Sequence, residues 1–346
     1  MKTTNHLLLS LLFLSSTPFF SVAQSEEAPA EEATKLPFEI SGFVDVYYMA
    51  AFNDMAFPTS FTEEFNSFSL GMANVAISKN SGKVGFLADI ALGPRAEVAN
   101  GFSGTSLSAI KQLYVTYAPS DAVTFTLGNF GTHVGYEIID APGNLNYSTS
   151  YMFSNGPFYH TGLKMDVALS DNFGFMVGLF DDTDSKMDFV PGKHIGIQLS
   201  YSDDITGIYL NYIAGRDQEE TDFDPEAKSS QFDLTATFQA TEKFGLGLNA
   251  TTKNVKIMGV GDYSWSGAAL YANLAITEGF TLAARGEYIS DQDGLIMGAT
   301  DGSILGLTLS GNIHLGDLTI IPEFRTDSGP EMDDIAGFIL AAVYSF

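Results

Sequence analysis

The segment QFDLTATFQ, residues Gln231–Gln239, decides the fold because apolar and polar side chains alternate along it. Its even positions are phenylalanine, leucine or alanine, and its odd positions are glutamine, aspartate or threonine. Successive side chains of a β-strand point to opposite faces, whereas a helix would scatter these polar groups around its circumference. The same period of two recurs at residues 122–128 and 280–288. The sequence therefore predicts amphipathic strands with one apolar and one polar face.

The connections between the predicted strands come in two alternating lengths. Short turns lie near residues 80–81, 119–121, 170–171, 202–203, 241–242, 277–278 and 316–317, and long loops near residues 53–66, 94–106, 130–158, 181–192, 215–229, 254–262, 290–302 and 328–334. Short turns on the periplasmic side and long loops outside are typical of bacterial outer-membrane barrels. These fifteen connections predict an all-β fold, a transmembrane antiparallel up-and-down β-barrel of about sixteen strands.

The composition favours a membrane barrel over a soluble β-sandwich, the alternative for many alternating strands. Charged residues make up only 17% of the chain, against about 25% in typical soluble domains. The chain has 34 glycines, no cysteine, and no apolar run after residue 20 long enough for a transmembrane helix. The last strand ends at Phe346, with Tyr344 on the same face. We interpret these two aromatic residues as the signal read by the outer-membrane assembly machinery.

The amino-terminal residues predict export. Lys2 precedes a mostly apolar segment from Leu7 to Phe20, and small residues suited to signal peptidase follow at Ser21–Ala23. We therefore predict a signal peptide at residues 1–23, an acidic periplasmic linker at residues 24–37 and the barrel at residues 38–346. An uncleaved anchor helix is disfavoured because the apolar segment is short. The expected location is the bacterial outer membrane, reached through the periplasm.

The charge balance is strongly acidic, with 42 Asp and Glu against 16 Lys and Arg and a formal net charge of −26. Nucleic-acid binding is disfavoured because phosphate contacts need clustered Lys and Arg. The acids lie mainly in the predicted loops, which suits a surface covered by outer-membrane lipid and lipopolysaccharide with bound divalent cations. Simple colloidal repulsion is an equally good explanation.

Several segments carry a family resemblance. They are SGFVDVYY (Ser41–Tyr48), FSL (Phe68–Leu70), VGFLADIALGP (Val84–Pro94), GYE (Gly135–Glu137), NLNYSTS (Asn144–Ser150) and PFYHTG (Pro157–Gly162). In these segments the chain resembles the OmpL-like putative β-barrel porin family of bacterial outer membranes. The resemblance covers the first half of the mature chain, while the second half matches only in general barrel character. It implies a porin-like protein and does not specify the solute.

A ring of sixteen strands leaves an aqueous lumen, so we expect passive diffusion of small hydrophilic solutes. Strand parity predicts nine charged residues that line this pore. They are the bases Lys164, Arg285 and Arg325 and the acids Asp45, Asp89, Asp166, Asp233, Glu287 and Glu323. Because the acids outnumber the bases two to one, we predict a weak preference for cations. The alternative is that each charge pairs with a neighbour across strands and has no role in selectivity.

The longest connection, residues 130–158, is predicted to fold inward and narrow the pore. Its candidate constriction residues are His133, Glu137 and Asp140. The two acids would form one side of a constriction opposite a basic rung made by Arg285 and Arg325. The alternative is that Tyr136 and Glu137 anchor the loop to the wall, since buried carboxylates are usually paired.

An enzymatic function is disfavoured because the sequence contains no nucleophile elbow, phosphate loop or zinc-protease motif. The four mature histidines are too dispersed in sequence to suggest a metal cluster, so we predict no metal and no cofactor. An outer-membrane phospholipase would need a lipid-facing His and Ser, and His160 lies near Ser148 and Ser150 in sequence but has lumen-facing parity. A plugged structural or adhesive barrel is another alternative. A homotrimer is expected only by analogy with other sixteen-strand porins.

Overall fold

A computed structural model describes residues 37–101, 105–188, 192–218, 225–298 and 302–346. The predicted signal peptide and most of the linker lie outside these residues. Within them, sixteen strands form a closed barrel. The strands are β1 (Glu39–Ala51), β2 (Ser67–Ser81), β3 (Val84–Leu92), β4 (Ile110–Ser120), β5 (Val123–Gly131), β6 (Tyr159–Ala168), β7 (Phe173–Phe180), β8 (His194–Ser202), β9 (Thr206–Gln218), β10 (Ala227–Thr241), β11 (Phe244–Ile257), β12 (Gly261–Thr277), β13 (Phe280–Ser290), β14 (Ile304–Leu315), β15 (Leu318–Gly329) and β16 (Met332–Ser345).

Each strand pairs antiparallel with its neighbours in the chain, and β1 pairs with β16 to close the ring. At the seam the backbone amides of Gly42 and Phe346 each donate to the other residue's carbonyl oxygen at 3.0 Å. Closure leaves no strand edge unpaired, which is the requirement for a sheet that crosses a bilayer. The predicted fold class and strand number are confirmed.

The two faces of the wall have opposite character. On β9 and β10, the apolar Leu210 and Phe232 are 52% and 57% exposed, while the neighbouring polar Asn211 and Asp233 are buried on the inner side. Aromatic residues pair near the strand ends, as where the rings of Phe173 and Tyr201 lie 5.0 Å apart. An apolar outer band with aromatic borders is the surface expected of a barrel in lipid.

Two of the predicted long loops are wrong. The β11–β12 connection contains only residues 258–260, and the β15–β16 connection only residues 330–331. The ladders extend further than the apolar pattern indicated, as far as the pairs Ile257–Gly261 and Gly329–Met332. These strand ends project beyond the apolar band, and outward residues such as Lys256 and Asp262 are polar there, so the apolar outer face that marks the other strands is missing.

The loops after β1, β3 and β5 fold into the barrel. They contain the helices α1 (Pro94–Asn100) and α2 (Tyr151–Ser154) and the 3₁₀ turns Ser106–Ala109 and Ala141–Gly143. Their apolar side chains pack against the inner face of β1, β2, β3, β15 and β16, where Met49, Ile339 and Val343 are buried. The interior on this side is therefore filled by an apolar core. No helix among the described residues is long and apolar enough to cross a membrane.

Candidate functional site

Residues 132–158, the connection between β5 and β6, cross the interior of the barrel and are called the inner loop below. His133 Nε2 lies 3.2 Å from the carbonyl oxygen of Tyr212 on β9, and the Gly135 amide donates to Asp233 on β10 at 3.0 Å. Two residues further, the loop reaches β13. Strands β5 and β13 are eight positions apart in a ring of sixteen (13 − 5 = 8), so the inner loop joins opposite walls.

A buried ion pair fixes the inner loop at β13. Arg285 Nη1 donates to Glu137 Oε1 at 2.7 Å, and the same nitrogen donates to the Ser148 carbonyl at 2.6 Å. The other oxygen of Glu137 accepts the Ser150 amide at 2.7 Å. The Glu137 and Arg285 side chains therefore contact each other directly, and no gap separates them. Glu137 joins two parts of the loop to the wall at once.

Wall carboxylates accept hydrogen bonds from the loop backbone. Glu323 accepts the amides of Tyr147 and Ser148 at 2.6 and 3.0 Å, and Glu287 accepts the Tyr151 amide at 2.8 Å. Carboxylates accepting backbone N–H groups form strong, charge-assisted bonds. These bonds also satisfy amides that a turn and a short helix leave without backbone partners. Residues 147–151 are thereby held against β13 and β15.

Arg325 on β15 also holds residues 147–151 of the inner loop against the wall. It donates to the Thr149 carbonyl at 2.9 Å and to Asp327, whose other hydrogen-bond partner is the Tyr151 hydroxyl at 2.9 Å. Its guanidinium also lies 4.6 Å from the ring centroid of Phe57, from the loop after β1. A buried charge is tolerated only when it is paired and hydrogen-bonded, and Arg325 meets both conditions.

Two further bases, Lys111 and Arg95, hold the opposite side of the loop, and neither is marked by strand parity. Lys111 on β4 contacts both Asp89 and Asp140 at 2.6 Å. Arg95 on α1 lies 3.4 Å from Asp45, which also accepts the Tyr147 hydroxyl at 2.6 Å. Lys111 stands at the start of β4, where parity is ambiguous, and Arg95 lies in a loop, where no period applies. Their one sequence signal is that bases are rare in this chain.

The nine predicted pore-lining residues fall into two groups. Seven are at most 4% exposed, and each forms an ion pair or hydrogen bond with the inner loop, α1, β4 or a neighbouring strand; they are Asp45, Asp89, Asp233, Arg285, Glu287, Glu323 and Arg325. The other two, Lys164 and Asp166 on β6, pair at 3.0 Å with side chains 15% and 22% exposed. The part these residues play in conduction stays a prediction.

Burial shifts the protonation of the loop residues. It lowers the pKa of His133 to about 4, so this ring is neutral at pH 7. Burial also raises the pKa of Asp140, although the adjacent Lys111 opposes the shift. Among the three predicted constriction residues, His133 therefore contributes no charge near neutral pH.

Three histidines that are distant in sequence meet around Phe180. The rings of His133 and His160 lie 5.3 Å apart, His160 stacks on Phe180 at 4.6 Å, and His194 is the strand partner of Phe180. The wide spacing of these histidines in the sequence therefore does not prevent them from clustering in the fold. In the described ranges, however, no group of three or more His, Asp or Glu residues could hold a metal ion. His160 Nε2 lies 2.9 Å from Thr132 Oγ1, while Ser148 bonds to Arg285 on β13 and Ser150 to Glu137 of the inner loop.

A closed antiparallel barrel with an apolar outer band, a polar inner face and a loop folded into its lumen defines the porin class of transmembrane proteins. The family described as "Putative beta-barrel porin-2, OmpL-like" matches residues 37–345. The chain belongs to this family.

Solved structures of outer-membrane proteins share the fold. The trimer form of OmpT of Vibrio cholerae matches with a TM-score of 0.63 and 10% identity, over 89% of this chain and 99% of that one. An anion-selective porin from Comamonas acidovorans matches with a TM-score of 0.62 and 11% identity, over 89% and 99%. The outer-membrane channel DcaP of Acinetobacter baumannii gives 0.59 and 12%, over 89% and 97%. At these identities the likeness concerns the fold alone. No curated protein matches this chain in sequence.

Proposed function

We propose that this protein is an outer-membrane porin through which small hydrophilic solutes diffuse passively, without enzymatic activity. The observation that carries the proposal is the path of the inner loop, which spans from β5 to β13 and is fixed there by Glu137 and Arg285. A loop held across a lumen reduces its cross-section without closing the ends of the barrel.

The remaining conduit runs along the wall opposite the apolar core. On β6 and β8 the inward side chains Lys164, Asp166 and Gln198 are only partly buried, in contrast to the sealed charges on β13 and β15. Water and polar solutes need such hydrogen-bonding groups along their path. The narrowing should therefore leave a polar passage at the level of Lys164, Asp166 and Gln198, whereas nearer the long loops the same wall is covered by the buried cluster around Phe180.

Liposome swelling with the refolded barrel tests solute diffusion directly. Uncharged sugars of increasing size should enter at rates that fall steeply with size, because the inner loop limits the width. Liposomes made with heat-denatured protein supply the control. If no sugar enters faster than in that control, the diffusion proposal fails.

The charges inside the barrel favour cations. Among the described residues, the charges around the lumen include nine acids and six bases; the acids are Asp45, Asp89, Glu137, Asp140, Asp166, Asp233, Glu287, Glu323 and Asp327, and the bases are Arg95, Lys111, Lys164, Lys253, Arg285 and Arg325. An excess of inward acids raises the local concentration of cations. Since most of these charges are paired, we propose a weak preference only.

The reversal potential across a bilayer in a tenfold KCl gradient measures this preference. We expect the sign that corresponds to K⁺ over Cl⁻, and a shift toward zero in Asp166→Asn, which removes a partly exposed acid. Glu242→Gln, at a periplasmic turn, is the control for a change of net charge alone. Clear anion selectivity, the property named for the Comamonas acidovorans porin, would overturn the proposal.

A plugged barrel is the second candidate, and one observation favours it. Arg285, Glu323 and Arg325 are each at most 2% exposed, so the lumen is sealed at their level on that side. A plugged barrel would give no solute entry in the swelling assay, whereas a porin would. The two candidates are therefore separated by one experiment.

For the assembly state we propose a homotrimer, supported by the similar fold of the trimeric OmpT of Vibrio cholerae. Native mass spectrometry of the detergent-extracted protein distinguishes three copies from one. A mass of one copy at all protein concentrations would contradict the proposal.

A further inference from the structure

Three basic residues lie side by side on adjacent strands at one end of the barrel. Lys228 on β10 is the strand partner of Arg216 on β9 and of Lys256 on β11. Directly opposed residues of antiparallel strands have Cβ atoms about 5 Å apart and project from the same face. Arg216, Lys228 and Lys256 therefore form a transverse line, called the cationic row below.

The cationic row faces away from the lumen. Along β10, Lys228 shares its parity with Phe232, which is 57% exposed, whereas the alternate residues Gln231 and Asp233 are buried inside. Lys228 stands four residues beyond Phe232, which is about 13 Å along a strand. The row thus lies just past the apolar band, at the end of the barrel that carries the long loops.

A row of like charges costs free energy unless anions neutralise it. Within the protein, Glu226 forms ion pairs with Arg216 and Lys228, and Asp262 lies 3.9 Å from Lys256. The Lys228 and Lys256 side chains remain 51% and 60% exposed, so both can accept a further anionic partner.

The row lines a groove of about 930 Å³ on the outer face of β8–β12. Lys193, which forms ion pairs with Asp181 and Asp188, also lines this groove, while Ile195 and Ala214 supply apolar surface beside it. The other bases of the described residues are elsewhere: Lys79, Lys83 and Lys243 at the periplasmic turns, Arg95, Lys111, Lys164, Lys253, Arg285 and Arg325 on the inner side, and Lys186 in the loop after β7. Among the described residues, the basic side chains that face outward at the long-loop end of the barrel are therefore concentrated in this one groove.

We propose that the cationic row and Lys193 bind the phosphate groups of a lipopolysaccharide-type glycolipid in the outer leaflet. Such a lipid carries phosphates at the level of the row and acyl chains at the level of the apolar band below it. Arg216 suits a phosphate because its planar guanidinium can donate two hydrogen bonds at once. The site requires only that β8–β12 face the outer leaflet, and it is independent of conduction through the lumen.

Binding of bisphosphorylated lipid A to the full-length mature barrel in detergent tests the site, with native mass spectrometry as the readout. The triple variant Arg216→Gln, Lys228→Gln, Lys256→Gln should bind on the order of tenfold more weakly, since three modest ion pairs are lost. Lys79→Gln, Lys83→Gln, Lys243→Gln makes the same change of net charge at the opposite end and should bind like the wild type.

Two further arms identify the source of the phosphate and check the fold. Dephosphorylated lipid A should bind the wild type as weakly as lipid A binds the triple variant, and 10 mM inorganic phosphate should not compete. Without lipid, the triple variant should unfold at about the same temperature as the wild type, because the exposed ion pairs with Glu226 and Asp262 that it loses contribute little to stability. Equal lipid binding by the triple variant, equal loss in the control, or strong competition by free phosphate would each overturn the proposal. So would dissociation of an oligomer with unchanged lipid binding, which would assign the row to a second copy of this chain.

Discussion

Neutralising Glu137 should release the inner loop from β13. Glu137→Gln keeps the size of the side chain and an oxygen that accepts the Ser150 amide, but its NH2 group then faces the Arg285 donor, so the 2.7 Å charged hydrogen bond is lost. Hydrogen bonds to charged groups contribute about 1.5–3 kcal/mol and neutral ones about 0.5–1.5 kcal/mol. Arg285 keeps Glu287 at 3.6 Å, so the larger penalty for an unpaired buried charge does not apply. We expect the docked loop to lose about 2 kcal/mol, or about a 30-fold rise in the undocked fraction.

An introduced cysteine can report this fraction because the chain has none of its own. Met152 on α2 is buried at 3% exposure, so Met152→Cys should react with a thiol reagent only when the loop undocks. The labelling rate should rise about 30-fold when Glu137→Gln is added. Asp166→Asn, which also neutralises a lumen acid but lies in a pair with Lys164 on the wall, should leave the rate unchanged. Equal labelling rates with and without Glu137→Gln would refute the anchoring role.

Three other perturbations follow from the structure. Gly128→Ala should lower barrel stability in urea titrations by about 2–3 kcal/mol, because φ is +138° and a Cβ would lie 2.2 Å from the Leu113 carbonyl oxygen. The control Gly316→Ala, at a turn with open space, should lower stability by about 1 kcal/mol. Equal losses in the two variants would contradict the steric explanation. The pKa of His133 is about 4, below the 6.5 of an unfolded histidine, so the free energy of unfolding decreases by up to about 3 kcal/mol as pH falls from 6.5 through 4. Single-channel noise should therefore rise at pH 4.5 in the wild type and rise less in His133→Gln. Identical noise in both proteins would exclude His133 as the cause of this pH dependence. Deleting Phe346 removes two seam hydrogen bonds to Gly42 and should reduce the folded protein recovered from outer membranes, whereas Phe346→Tyr should not; normal recovery of the deletion would contradict an assembly role.

The wall of the barrel could be predicted because it obeys a period of two. Segments such as Gln231–Gln239 face lipid on one side and a polar interior on the other, so each residue's environment is encoded in its position. The prediction failed at the loop ends of β11, β12, β15 and β16, which project beyond the apolar band. There the outer face is polar, as at Lys256 and Asp262, and the apolar outer period that marks the rest of the wall is lost.

The contents of the lumen could be predicted only in part. The inward charges were found by parity, and the long connection after β5 indicated an inward loop. Pairing between near neighbours, such as Arg285 with Glu287, could be expected from the strand pattern. The distant partners could not be found, because the contact of Glu137 with Arg285 spans 148 residues and depends on the path of an irregular loop. Arg95 and Lys111 were missed for the same reason, and the histidines around Phe180 meet only once the ring is closed.

Single-channel recording of the refolded mature barrel in planar bilayers tests most directly whether the lumen conducts. We expect discrete, voltage-independent steps of one size in 1 M KCl, with conductance that scales with bulk salt as in a water-filled passage. Insertion should be verified in the same preparation by the heat-dependent mobility of the folded barrel. Folded, inserted protein that gives no steps would show that the inner loop plugs the barrel, and the porin proposal would be wrong.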